Sequence, residues 1–211
     1  GLYYSVSGLV KELNQTHQAR VFAHDDYFTE IDKHVWENVD MVTYKTVLVG
    51  GYRISLNLIY LLLKFQPEFI YVQGIFTHYS FAHFIYNKIK PTKYAISPRG
   101  MLDVWALNYK KNKKLLFLGL FERTHLKKAL FIHALNSSEK DTIELNKFNS
   151  RIEVVPNGIT VGVPTYNNST NLLFLGRIHP KKGLLDLIDA MAIIGRDYLI
   201  KNGVKLVIAG W

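Results

Sequence analysis

The chain has 211 residues, 48% hydrophobic and 20% charged, a balance that excludes disordered and fibrous classes and leaves a globular protein with a real core. It has no cysteine, which excludes disulfides and thiolate metal sites and suits a reducing compartment. The net charge of +9 is local: residues 88–128 hold eleven Lys/Arg and two acids, and the rest of the chain is balanced at fifteen of each. One surface therefore asks for an anionic partner.

In chain order, Leu2, Val6, Leu9, Val10 and Leu13 fall on one stripe and predict a helix over 2–13. No strand precedes it, so the start reads as a unit whose first strand has been cut away. Strands follow at 20–23, 69–73, 94–97, 130–134, 152–155, 172–175 and 205–209. Helices are predicted at 54–65, 78–88, 113–127, 139–147 and 183–200. Most strands are continuously apolar, the pattern of parallel strands covered on both faces, and their alternation with helices predicts a doubly wound α/β fold. The longest uninterrupted apolar run, at 58–63, is far shorter than a membrane span, and no signal-peptide pattern opens the chain. The aperiodic stretch PNGITVGVPTYNNST marks a boundary. The expected organisation is a domain over 1–160, a linker over 161–170, and over 171–211 the first βαβ unit of a second domain.

The densest chemistry lies in GRIHPKKG, residues 176–183, between a predicted strand and helix. Ligands in open α/β sheets sit beyond the carboxyl ends of strands, where the next helix offers unpaired N–H groups and partial positive charge. Arg177 and Lys182 add a fork and a point charge, and Gly176 and Gly183 let a backbone approach closely. An ordinary basic surface loop fits the same residues. There is no P-loop and no GxGxxG, so nucleotide hydrolysis and dinucleotide binding have no support.

Three other strand ends repeat the layout. SPRGMLDVWAL places Arg99 after a strand, either at a site or in a solvated turn. YVQGIFTHYSFAH offers Thr77 as a helix cap and His78 as a cleft or structural histidine. IHALNSSEKDTIE has Ser137 or Ser138 as cap, with Glu139 in the first turn; capping alone explains these residues. YKKNKKLLFLGLFERTHLKKAL is basic and amphipathic. Lys110, Lys111, Lys113, Lys114, Lys127 and Lys128 surround leucines, which suits either an anionic membrane surface or a solvated helix face. Aromatic residues are plentiful, but no nucleic-acid motif is recognisable.

Taken together, these segments resemble the family 4 glycosyltransferases of the GT-B fold, over essentially the whole chain. GLYYSVSGLVKEL is similar to the family's glycine-rich loop and first helix. SPRGMLDVWAL is similar to a segment of a bacterial polysaccharide subgroup. IEVVPNGI and NLLFLGRIHPKKGLLDLIDAM follow in the family's order, and the pairing of VPNGI with GRxxxxKG is the specific signal. The resemblance implies two Rossmann-like domains, with transfer of a sugar from a nucleoside-diphosphate sugar to a glycan or lipid-linked acceptor. It implies retained configuration, no cofactor and no obligatory metal. Arg177, Lys182, Gly1 and Gly176 match positions that hold the donor diphosphate. Arg99 falls at a catalytic-cleft position where many relatives carry His, and Arg cannot act as a base. His78, Glu139 and Asn157 are further cleft candidates. The family's E-x7-E motif belongs beyond Trp211, so these residues are expected to be an inactive fragment. The expected setting is cytoplasmic and peripheral, at the inner face of the cell membrane. The alternatives are another GT-B enzyme, such as a nucleotide-sugar epimerase, and a non-catalytic basic module for membrane or nucleic acid.

Overall fold

The computed structural model describes residues 2–49, 52–109, 111–159 and 169–210. Gly1, Lys110 and most of the expected linker lie outside the described residues. The chain divides into two compact units, Gly1–Thr160 and Val161–Trp211.

The first unit opens with helix α1, Leu2–Leu13, whose stripe buries Val10. Strands β1, Arg20–His24, and β2, Asp40–Tyr44, pair in parallel, and an Arg20–Asp40 salt bridge of 2.6 Å fixes their start. A short antiparallel hairpin, β3 (Val47–Val49) and β4 (Tyr52–Ile54), precedes helix α2, Leu56–Phe65. Sequence periodicity finds none of β2, β3 and β4, and all three residues of β3 are exposed, so no buried run marks that strand. The helix predicted from residue 54 starts at 56 instead, because Ser55 caps it by accepting from Leu58 N–H at 3.0 Å.

A four-stranded parallel sheet follows in the order β5 (Phe69–Gln73), β6 (Lys93–Ser97), β7 (Phe131–Ala134), β8 (Ile152–Val154). Sequential parallel strands need crossover connections, and helices supply them here. Helix α3, His78–Ile89, joins β5 to β6 and is capped by Thr77 as the sequence predicts. Between β6 and β7 lie α4, Val104–Asn108, then α5, Lys111–Phe117, a π turn over Leu118–Glu122, and α6, Arg123–Lys128. The π turn keeps helical dihedrals at both ends, so 111–128 is one helix about 27 Å long. Helix α7, Ser137–Leu145, joins β7 to β8. Its cap is Asn136, one residue before the predicted serines, whose Oδ1 accepts from Glu139 N–H at 2.9 Å.

Val72, Ile96, Ile132 and Ala134 of the sheet pack with Leu102, Leu126, Ile143 and Phe148 into one apolar core. A second cluster joins Tyr44, Leu58, Leu62, Ala82 and Tyr86. Each large side chain buried here is worth about 1.5–3 kcal/mol.

In the second unit β9, Asn171–Leu175, and β10, Lys205–Ala209, pair in parallel around α8, Leu184–Ile194, and α9, Arg196–Lys201. The single helix predicted over 183–200 is broken at Gly195, whose φ of 91° is outside helical space. No described residue of this unit is fully buried, and Leu172 and Leu173, on opposite faces of β9, both stand exposed.

Candidate functional site

The period-two rule of strands sorts the sheet into an apolar and a polar face. Tyr71 and Gln73 share a face of β5. Gln73 is in register with Ser97 of β6. The Ser97 hydroxyl donates to the His133 carbonyl at 3.1 Å, and the His133 side chain meets the Tyr71 hydroxyl. His133 Nε2 donates to the Val155 carbonyl at 2.6 Å. Burial pushes the Tyr71 phenol above its ordinary range. Tyr71, Gln73 and His133 escape the sequence reading because FIYVQ and FIHA look like uninterrupted apolar runs. The signal present was the alternation of polar tips within them.

Arg99 stands above this polar face. Pro98 ends β6, and Arg99 and Gly100 both take left-handed backbone, φ 56° and 76°. Arg99 Nε and one Nη donate to Gln73 Oε1 at 2.8 and 2.6 Å, and the other Nη donates to Asn157 Oδ1. Partial burial lowers the guanidinium's pKa from its ordinary value, though Arg stays charged. Glu139 is buried. Its two oxygens accept from Gly100 N–H at 2.7 Å and Leu135 N–H at 2.8 Å, so it ties the loop after β6 to the loop after β7. Arg99, Glu139 and Asn157 thus meet at one end of the sheet, with Gln73 added.

His78 does not join them. It sits at the first position of α3, where its Nε2 meets the buried Tyr44 hydroxyl at 3.0 Å. Burial, then His24 and Arg53 nearby, hold its pKa down to about 4. A neutral ring accepts at Nε2, and burial pushes Tyr44 far above its ordinary value, so Tyr44 donates.

A third cluster lies inside the unit. Glu122, on the π turn, is wholly buried. It accepts from Phe76 N–H at 2.9 Å and the Ser80 hydroxyl at 2.7 Å, and meets His125 Nδ1 at 3.2 Å. His125 Nε2 meets His83 Nδ1 at 2.7 Å, and His83 Nε2 is a buried atom without a partner. Burial and His125 hold the His83 pKa down to about 3. In sequence Glu122 reads as a lone acid in a basic helix.

The lysines of that helix divide. Lys111 and Lys113 are exposed at its start beside exposed Leu115, Leu116 and Leu120. Tyr52 of the hairpin packs edge-on to Phe117 at 5.2 Å, and Lys113 lies over the Tyr52 ring at 5.6 Å. Lys114 turns inward, donating to the Ala106 carbonyl and lying over Phe76. Lys127 and Lys128 are exposed at the far end, away from this apolar group.

In the second unit Gly176 follows β9, and its N–H donates to the Ala209 carbonyl at 3.0 Å. A Cβ on Gly210 would collide with the Gly176 carbonyl, so this close pairing of loops requires glycine. A turn over Pro180–Lys182 leads to Gly183, left-handed at φ 68°, which caps α8 without a side chain. Lys182 folds back toward the strand end: its Cδ lies 4.0 Å from where a Cβ on Gly176 would stand. Arg177 and Lys182 are both exposed, and neither side chain has a hydrogen-bond or ion-pair partner among the described residues.

Among the described residues no group of three or more His, Asp and Glu could hold a metal, and no helix is long and apolar enough to cross a membrane. Comparison with protein-family models, curated proteins and solved structures returns no match.

Proposed function

We propose that the chain is part of a retaining GT-B glycosyltransferase that uses a nucleoside-diphosphate sugar. One observation carries this reading. Two exposed cations, Arg177 and Lys182, whose side chains have no partner among the described residues, share a glycine-bounded turn between the carboxyl end of β9 and the start of α8, where glycine caps without a side chain. That is the setting in which fixed positive charge and open helix N–H groups hold a phosphate.

The chemistry follows from charge. As the sugar leaves, negative charge builds on the oxygen bridging it to the diphosphate. Cations fixed beside that oxygen stabilise the transition state more than the bound ground state. Arg supplies paired donors to two phosphate oxygens, and Lys supplies a movable point charge. No step in this account needs a metal. The parallel sheet of the first unit, with its polar strand ends, is the acceptor side in this reading. Lys111 and Lys113 beside exposed Leu115, Leu116 and Leu120 would rest on the anionic inner face of the membrane and meet a lipid-linked acceptor there.

Calorimetric titration with UDP and GDP tests the core of the reading. Arg177→Ala and Lys182→Ala each weaken nucleotide binding about tenfold or more, the worth of one charge-assisted contact. Equal affinity in both variants overturns it. In sugar transfer the same changes lower turnover by about 10²-fold. For the surface, flotation with vesicles of 30% anionic lipid exceeds that with neutral vesicles; equal partition removes the membrane role.

A further inference from the structure

Arg99 occupies its position against two ordinary preferences. Its φ of 56° is a conformation that L side chains seldom adopt, and the next residue, Gly100, is also left-handed. Such strain persists where surrounding structure enforces it, and it clusters at functional sites. Here two distant residues enforce it, Gln73 from β5 and Asn157 from beyond β8.

The nature of those partners is the second point. Both are neutral amides, so they orient the guanidinium without cancelling its charge. The one carboxylate close by, Glu139, spends both oxygens on backbone N–H groups, and among the described residues Arg99 has no ion pair. The side chain is half-buried, while Asn157 is exposed, so the head is reachable from solvent. A guanidinium has five N–H donors. Three are engaged, by Gln73 twice and Asn157 once, and one remains on each Nη. Two N–H donors on neighbouring nitrogens match two oxygens of one oxyanion.

From this we infer that Arg99 is a receptor for a phosphate or carboxylate group carried by a substrate of the first unit. Its site is the strand-end cluster of Gln73, Arg99 and Asn157, separate in the chain from the Arg177–Lys182 turn. The anion site stands on the first unit alone. Its assignment to the acceptor or to the transferred sugar rests on the transferase reading. Arg99 then does not act as a base. It selects an acidic substrate over a neutral one and holds that substrate at the strand ends.

The test follows the Arg99 Nε–H resonance of the 211-residue chain by NMR during titration with methyl phosphate, glucuronate and, as a neutral control, glucose. One of the two anions shifts the resonance saturably at millimolar concentration, and glucose does not. Saturation by methyl phosphate alone assigns a phosphorylated acceptor; saturation by glucuronate alone assigns a sugar acid. Arg99→Gln loses at least tenfold in affinity for that anion, read from the neighbouring Gly100 amide, while UDP binding at the second unit persists. Gln73→Leu keeps the charge but loosens the fork, and weakens the anion severalfold in a protein whose spectrum stays dispersed. The inference is overturned if neither anion shifts the resonance, if chloride shifts it equally, or if Arg99→Gln binds the anion as the parent does. Loss of UDP binding in Arg177→Ala with the anion titration intact would bear on the donor site alone, so the two proposals fail separately.

Discussion

Two loops of this molecule place cations at the carboxyl ends of parallel strands, and they are built in opposite ways. Arg99 is held by residues from β5 and from beyond β8, over a sheet whose core is closed. Arg177 and Lys182 come from one eight-residue turn in a unit in which no described residue is fully buried. The first arrangement fixes direction, because a fork bound at three donors points one way. The second leaves two exposed charges whose side chains have no partner among the described residues, so in the proposed function their order would come from the ligand. Orientation in the first unit is set by folding; in the second, on the proposed function, it would be set by binding, with a corresponding entropic cost.

The largest effect that sharpens this contrast is in the buried network. Glu122→Ala leaves Phe76 N–H, the Ser80 hydroxyl and His125 without their partner, and lowers stability in urea by about 3–5 kcal/mol. Asp189→Ala, exposed on α8, changes it by less than about 0.5 kcal/mol. Comparable losses would dissolve the distinction between a knit unit and an open one.

A pH dependence comes next. His83 is held at about 3 and His78 at about 4 in the folded state, against about 6.5 when unfolded. Below pH 6.5 the unfolded chain binds more protons than the folded one, so stability falls with acid from about pH 6.5, levelling near pH 4 for the His78 share and near pH 3 for the His83 share. The slope approaches about 1.4 kcal/mol per pH unit for each group. His83→Asn keeps a donor toward His125 and does not titrate; its stability profile is flatter by up to one group's share. An unchanged profile would place the acid sensitivity elsewhere.

The smallest effects compare helix starts. Asn136→Ala removes the side-chain cap of α7 and costs about 1 kcal/mol. Gly183→Ala puts a Cβ 3.3 Å from Asp186 Oδ2 at a left-handed φ, and costs about 1–2 kcal/mol. The first leaves UDP affinity intact and the second weakens it, if the start of α8 receives the diphosphate and the start of α7 does not.

What could be read in advance follows the range of the forces involved. The parallel strands other than β2, and their main helices, were legible because apolar runs and 3.6-residue stripes are local. Thr77 was legible as a cap for the same reason. The hairpin of β3 and β4 was not, since two three-residue strands with five of six residues exposed leave no burial pattern. Gly195 signalled its break, yet the apolar stripe on either side of it spoke for one helix. Arg99 was legible as a strand-end residue, Glu139 as a first-turn helix residue and Asn157 only through the resemblance; their meeting, and the place of Gln73 in it, depends on which strands are neighbours. Glu122 was hidden most deeply, because the π turn shifts the phase of the helix and swings an acid inward from a basic sequence.

The central claim is that the turn from β9 to α8 receives a nucleoside diphosphate. Amide chemical-shift mapping of the labelled 24.3 kDa chain with UDP and GDP tests it most directly. The account predicts saturable shifts concentrated over residues 176–185 for one of the two nucleotides, abolished when Arg177 and Lys182 are both alanine. Shifts confined to other residues, or identical maps with and without those two side chains, would contradict it.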